Sequence, residues 1–160
     1  MKKKIRLLER VKYALLAVLA LYIVMILFMN RGSDAPFSKV RDAVLAAADT
    51  DGMQETNDRD FKKLYGLNKN DYDEIISYYT NETMGVEELL LVRCTDEEKL
   101  SAVEKAAQDR IDMQIQSFQG YGEEQTKLLK DAVVLKKGSL FLMAVSPEAG
   151  EIRKAFMEAL

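Results

Sequence analysis

The chain of 160 residues contains no histidine and no tryptophan, only one cysteine and only two prolines. Without histidine it lacks the commonest general base and transition-metal ligand, and a single cysteine cannot form an intrachain disulfide. The sequence also has no glycine-rich phosphate loop and no metal-ligand spacing. We therefore expect neither a cofactor nor a metal site, and these absences argue against most classes of enzyme.

Basic residues are concentrated at the N-terminus, although the whole chain has a formal net charge of −3. Residues 1–12 hold six basic side chains and one acidic side chain, so the rest of the chain is acidic. An acidic domain has no electrostatic attraction for nucleic acid, and we exclude nucleic acid as a partner. Residues 1–12 are interpreted as a separate basic segment.

An uncharged apolar run, residues 13–29, follows this basic segment. As a helix it would span about 26 Å at a rise of 1.5 Å per residue, the short end of a bilayer-spanning length. Because the basic residues precede it, the run predicts a single transmembrane helix with a cytoplasmic N-terminus in the cell membrane. Residues 30–36 are then a linker, and residues 37–160 an extracellular domain.

A cleaved signal peptide is the alternative interpretation, since signal peptides also combine a basic segment with an apolar run. Ser33-Asp34-Ala35 is the one small-x-small cleavage candidate, and Pro36 follows it directly. Proline at that position disfavours cleavage, so the sequence favours an uncleaved signal anchor. The single cysteine, Cys94, lies far beyond the apolar run, which excludes a lipoprotein anchor.

Helical and strand patterns are both present after the linker. Apolar spacing predicts a helix up to about Asp49, a short one ending at Gly66, a long one from a Thr95/Glu98 capping box to Gly120, and one after Pro147. Residue composition predicts strands at 74–79, 89–93, 133–135 and 140–145. We therefore predict an α+β domain in which helices pack on one face of a four-stranded, mainly antiparallel sheet.

Dispersed residues of this domain follow a recognisable pattern. They are Phe61, Leu64, Tyr65, Gly66, Leu67, Ala106, Ala107, Arg110, Gln114, Phe118, Tyr121, Gln125, Leu129, Ala132, Val133, Val134, Gly138 and Phe141. From about Phe37 to Val145, the chain resembles the domain of unknown function 4358 family. The resemblance implies a small extracytoplasmic domain of Gram-positive bacteria, tethered by a lipoprotein signal or one N-terminal helix, without an established reaction. The family pattern has a proline two residues after the tyrosine, and the segment Tyr121–Gln125 lacks it.

A charged residue lies on or beside the apolar face of the long predicted helix. Arg110 and Gln114 are spaced i,i+4 there, and a guanidinium near a core requires partners. One interpretation is that a carboxylate or helix-end carbonyls satisfy Arg110, which then stabilises the fold. The other is a groove that binds an anion or polyol, such as a sugar or carboxylate of the envelope, and that is lined by Arg110, Gln114, Tyr121, Gln125 and Tyr65.

The remaining reactive side chains have simpler interpretations. Cys94 ends an apolar strand, so we expect it to pack in the core. The acidic stretch 49–58 lacks the ligand spacing of a calcium loop and is interpreted as a solvated loop. Pairs of acidic residues that are neighbours in the sequence are expected to be solvated as well, namely Asp71/Asp73, Glu87/Glu88 and Glu123/Glu124.

We therefore expect a non-catalytic binding or scaffolding domain, anchored in the lipid bilayer, whose partner is a protein or glycan of the bacterial cell envelope. One alternative, suggested by what the family resemblance implies, is an accessory subunit of an envelope polysaccharide O-acyltransferase. Its membrane helix would pack through small residues on one face, Ala14, Ala17 and Ala20. A second alternative is a hydrolase that uses two carboxylates.

Overall fold

The computed structural model describes residues 12–24 and 35–160. The chain divides into two units, Met1–Arg31 and Gly32–Leu160. Residues 12–24 are helical, with exposed side chains, whereas the rest of the predicted basic segment, membrane helix and linker lies largely outside the described residues. Among the helices within the described ranges, none combines the length and the apolarity needed to cross a bilayer.

Residues 35–160 confirm the predicted α+β class. The elements, in chain order, are α1 (Phe37–Ala47), β1 (Met53–Glu55), α2 (Asp58–Tyr65), a 3₁₀ turn (Lys69–Asp71), β2 (Glu74–Thr80), β3 (Glu88–Arg93), α3 (Glu97–Phe118), α4 (Glu123–Lys130), β4 (Val133–Lys137), β5 (Leu140–Val145) and α5 (Ala149–Ala159). The four predicted strands and the four predicted helices are present, and β1 and α4 are additional.

In residues 35–160 the sheet has five strands in the order β1-β2-β3-β5-β4, and every neighbouring pair is antiparallel. The prediction of four strands is therefore wrong. The additional strand, β1, has three residues within the stretch that was interpreted as a solvated loop, and two of them are exposed. Such a short segment has too little alternation to be recognised, and it forms a strand because β2 offers a free edge.

Helices cover both faces of the sheet, so the prediction of helices on one face is also wrong. We call the side that carries Leu90 and Met143 the first face, which is packed by α2, α3 and residues of α4. The second face carries Leu89 and Leu142 and is packed by α1 and α5. All six residues of β5 are buried, as expected for a strand with covered faces on both sides.

Capping residues determine where the first-face helices begin and end. The Asn57 side chain caps α2 by accepting a hydrogen bond from the Asp60 N–H at 2.9 Å, and Gly66 ends α2 with φ of +71°. Glycine is favoured there because a Cβ strains this left-handed conformation. Helix α3 begins one residue later than the predicted capping box indicates, because Asp96 accepts from the N–H groups of Glu98 and Lys99.

Candidate functional site

An ion pair joins α3 to β3 within the first face. Arg110 Nε donates to both carboxylate oxygens of Glu88 at 2.7 Å, and Arg110 Nη2 also donates to Glu88 Oε1. The side chains of Arg110 and Glu88 are 17% and 2% exposed. Glu88 is therefore the carboxylate that the position of Arg110 requires, and the paired hydrogen bonds hold the guanidinium in one orientation.

The position of Glu88 follows from the alternation of strand β3. Residues two apart in a strand share a face, so Glu88 lies on the same face as Leu90 and Val92. The expectation that the Glu87/Glu88 pair is solvated is therefore wrong for Glu88. The period-two pattern of Glu88 with Leu90 and Val92, in an otherwise apolar strand, is the sequence signal that identifies it as buried.

Tyr65 joins the pair from the last turn of α2. Its hydroxyl donates to Glu88 Oε2 at 3.3 Å, and the Arg110 Cζ atom lies 5.9 Å from the centre of its ring. The neighbouring ring of Phe61 packs on it at 5.0 Å between centroids. Tyr65, Glu88 and Arg110 therefore form one cluster, which we call the polar cluster, contributed by α2, β3 and α3.

Burial and mutual contact govern ionisation in the polar cluster. Burial raises the pKa of Glu88, while the hydrogen bonds and charge of Arg110 act in the opposite direction. For Arg110, burial alone would lower the pKa, but the hydrogen bonds and charge of Glu88 outweigh it and raise the pKa. Burial, and then the charge of Glu88, raise the pKa of Tyr65 well above its usual range. Arg110 therefore stays charged and Tyr65 neutral, so both act as hydrogen-bond donors rather than as bases.

A groove of about 370 Å³ lies between α2 and α3, and Tyr65 and Arg110 form part of its wall. We call it the α2–α3 groove. Its other charged and apolar lining residues include Lys63, Lys105, Asp109, Leu64, Ala102, Ala106 and Met113. Lys105 pairs with Asp109 along α3. Amino, guanidinium and phenol groups beside apolar surface are suited to ligands that carry hydroxyl or carboxylate groups.

The five residues predicted to line one site fall into different places. Tyr65 and Arg110 line the α2–α3 groove, whereas Gln114, Tyr121 and Gln125 are not among its lining residues. Gln114 Oε1 is buried and has no hydrogen-bond partner among the described residues. Tyr121 is 65% exposed and packs on Phe118, and Gln125 lies in α4. The structure therefore brings together Tyr65 and Arg110 of the predicted set.

The remaining candidate groups lie outside the polar cluster and the α2–α3 groove. Cys94 is buried in the first-face core, as predicted. A second cavity, of about 190 Å³, is lined by carboxylates, namely Asp49, Asp51, Glu82, Glu87 and Glu148. In the part of the chain that the structure describes, no group of three or more acidic or cysteine side chains is arranged to hold a metal ion.

One comparison with known proteins gives a match. The family model described as Domain of unknown function (DUF4358) matches residues 46–146. No curated protein and no solved structure matches the chain. The matched segment includes all five strands, α2, α3 and α4, and therefore the polar cluster and the α2–α3 groove. The resemblance inferred from the sequence is confirmed.

Proposed function

Given that the chain belongs to the DUF4358 family of domains of unknown function, we propose that it is a membrane-anchored binding or scaffolding domain of the bacterial cell envelope, without catalysis of its own. One observation carries the binding part of the proposal. Arg110 is held by Glu88 in the wall of the α2–α3 groove, which gives the groove a fixed polar surface. A preorganised donor favours binding because little orientational freedom is lost when a ligand arrives.

The membrane part of the proposal rests on the first unit. The described helix at 12–24 exposes large apolar side chains, including Leu15, Leu19 and Ile23. A helix with such a surface is stable in an apolar environment, and the basic residues before it favour a cytoplasmic N-terminus. The second unit is then extracellular, in an envelope of the Gram-positive type that the family resemblance implies.

The orientation of the chain in the membrane is testable by cysteine labelling, because the single native cysteine is buried. We expect a Ser101→Cys variant, at an exposed position on α3, to react in intact cells with a maleimide that cannot cross membranes. The unsubstituted protein, with only buried Cys94, is the matched control and should remain unlabelled. Labelling of the variant only after cell lysis would contradict the proposed orientation.

The groove suggests the chemistry of its ligand. Lys63 and Lys105 offer donors to hydroxyl or carboxylate oxygens, while Ala102 and Met113 offer apolar contact. Met113 is 62% exposed, so the groove retains uncovered apolar surface that a partner can bury. We propose a sugar or carboxylate group of an envelope glycan or protein as the ligand.

A matched pair of methionine substitutions tests the groove. Met113→Glu adds a negative charge to the groove, whereas Met157→Glu adds the same charge at an exposed position of α5, which packs on the second face. Full-length protein is purified from native membranes in mild detergent, and co-purifying proteins and glycans are identified by mass spectrometry. We expect a component that is lost with Met113→Glu and retained with Met157→Glu. Identical recovery with both variants would contradict a role for the groove.

The acyltransferase alternative depends on the helix at 12–24. Its helical conformation places Ala14, Ala17 and Ala20 towards one side, where small residues permit close packing against another membrane helix. If the chain is an accessory subunit, replacing these alanines by leucine should remove a multispanning enzyme from the purified complex. Leu19→Ile, on the other side of the helix, should leave the complex intact. Recovery of the enzyme with the leucine variant would favour a simple tether.

The hydrolase alternative has less support. The carboxylate cavity gathers acidic residues from separate segments, but its lining is mostly polar. A glycoside hydrolase needs one carboxyl that stays protonated near neutral pH, which apolar surroundings promote. A cavity with a polar lining does not provide that environment.

A further inference from the structure

Two hydroxyl groups in the first-face core have no direct partner. Thr56 and Ser77 are 2% and 0% exposed, and among the described residues no hydrogen bond is formed by Thr56 Oγ1 or Ser77 Oγ. The Thr56 N–H donates to the Ser77 carbonyl at 2.8 Å, and the register that pairs Glu55 with Tyr78 places Thr56 opposite Ser77. Opposite residues of antiparallel strands share a face, so the two hydroxyls are neighbours.

These hydroxyls extend the polar cluster towards β1. Ser77 pairs with Leu90, so it lies on the same face of the sheet as Glu88. Burial raises the pKa of Tyr65 most strongly, and the nearby Ser77 side chain acts in the opposite direction. The Tyr65 hydroxyl donates in turn to Glu88, which holds Arg110. Polar groups therefore form a row across the first face, from the residue after β1, over β2, to β3 and α3.

An unpaired hydroxyl inside a core is unfavourable, and native proteins satisfy such groups with protein atoms or ordered water. A buried water typically makes about three hydrogen bonds to groups that would otherwise be unsatisfied. Two adjacent hydroxyls beside a phenol provide such a set. We propose that the fold binds a single internal water between Thr56 Oγ1 and Ser77 Oγ, which links both residues to Tyr65.

The water would give the groove wall its shape. Tyr65 lines the α2–α3 groove, and its hydroxyl is held by Glu88 on the sheet side. A water bound at Ser77 supports the same hydroxyl from β2. The orientation of the Tyr65 ring then depends on contacts to both β2 and β3, rather than on the contact to Glu88 alone. The inference does not depend on the identity of the groove's ligand.

Substitutions that keep the side-chain shape distinguish a bound water from two unpaired hydroxyls, because the two cases change the midpoint temperature of unfolding in opposite directions. With the water present, Thr56→Val and Ser77→Ala each remove one of its partners. Each should lower the midpoint temperature of unfolding, and the double variant should lose less than the sum of the single losses. If the hydroxyls are simply unpaired, each substitution removes an unsatisfied group, so both midpoints should rise and the changes should add. Thr83→Val, at an exposed position, is the control and should leave the midpoint unchanged.

A direct measurement on the unsubstituted full-length protein covers the case in which a variant fails to fold. In detergent micelles, we expect nuclear Overhauser transfer from a long-lived water to the amide protons of Thr56 and Ser77. Transfer at both amides, together with lowered midpoints in the variants that fold, supports the site. The absence of this transfer, or a rise in midpoint for either variant, overturns it.

Discussion

Replacement of Arg110 by alanine leaves the Glu88 carboxylate inside the first-face core with the Tyr65 hydroxyl, at 3.3 Å, as a partner. Removing one member of a buried ion pair costs about 3–5 kcal/mol, a large share of a domain's total free energy of unfolding of about 5–15 kcal/mol. For a domain of this size we expect the unfolding midpoint to fall by about 10–20 °C.

The loss should depend on pH, because the uncompensated carboxylate can take up a proton. Burial raises the pKa of Glu88, and removal of Arg110 removes the groups that lower it. Between the unfolded pKa of about 4.5 and the higher folded pKa, the folded state then binds more protons than the unfolded state. The free energy of unfolding of the variant should therefore fall as the pH rises through this window. Its loss of stability relative to the unsubstituted protein should be larger at neutral than at mildly acidic pH.

The measurement is urea unfolding of the full-length protein in mild detergent, followed by circular dichroism because the chain has no tryptophan. The control combines Arg110→Met with Glu88→Leu, which removes both charges and should recover most of the stability. A loss below about 1 kcal/mol in Arg110→Ala at neutral pH, less than expected for any buried ion pair, would refute the reasoning. A loss that is the same at all pH values would refute it as well.

Two further predictions concern residues at the end of α2. Burial, and then the charge of Glu88, raise the pKa of Tyr65 above the usual value of 10.0, so the folded chain keeps a proton that the unfolded chain releases. The free energy of unfolding should therefore fall as pH rises above about 10, and Tyr65→Phe should reduce that fall in urea titrations at successive pH values. Gly66→Ala forces alanine to adopt φ of +71° and should lower the free energy of unfolding by about 1–2 kcal/mol. Gly150→Ala, in α5 with no atom within 4 Å of the added Cβ, should instead raise it by about 0.4–1 kcal/mol, and equal effects would contradict the backbone explanation.

The sequence allowed the α+β class to be predicted because the strongest local signals coincide with real elements. Helix α3 has an apolar face over its whole length, and the runs in β3 and β5 are rich in aliphatic residues. The same runs also contained the evidence for coverage on both faces, since a strand with one wet face alternates and these do not. Helix α4 was missed because it is short and begins at Gly122 without a side-chain cap.

The candidate site was predicted only in part, because its residues are far apart in the sequence. The spacing of Arg110 on α3 showed that a charged group needed a partner near the core. Glu88 lies 22 residues earlier, and it reaches Arg110 because β3 is placed between β2 and β5 beneath α3. Local patterns do not specify this long-range arrangement.

The helices on the second face have a consequence for how the domain is delimited. Helices α1 and α5 pack side by side, and the Lys39 ammonium donates to the Ala159 carbonyl at 3.0 Å, yet the family match ends at residue 146 and includes only the last two residues of α1. A fragment cut to residues 46–146 would leave Leu89, Leu91 and Leu142 without their cover. Such a fragment should aggregate when expressed alone, and during synthesis only α1 is available to cover the second face until α5 has been made.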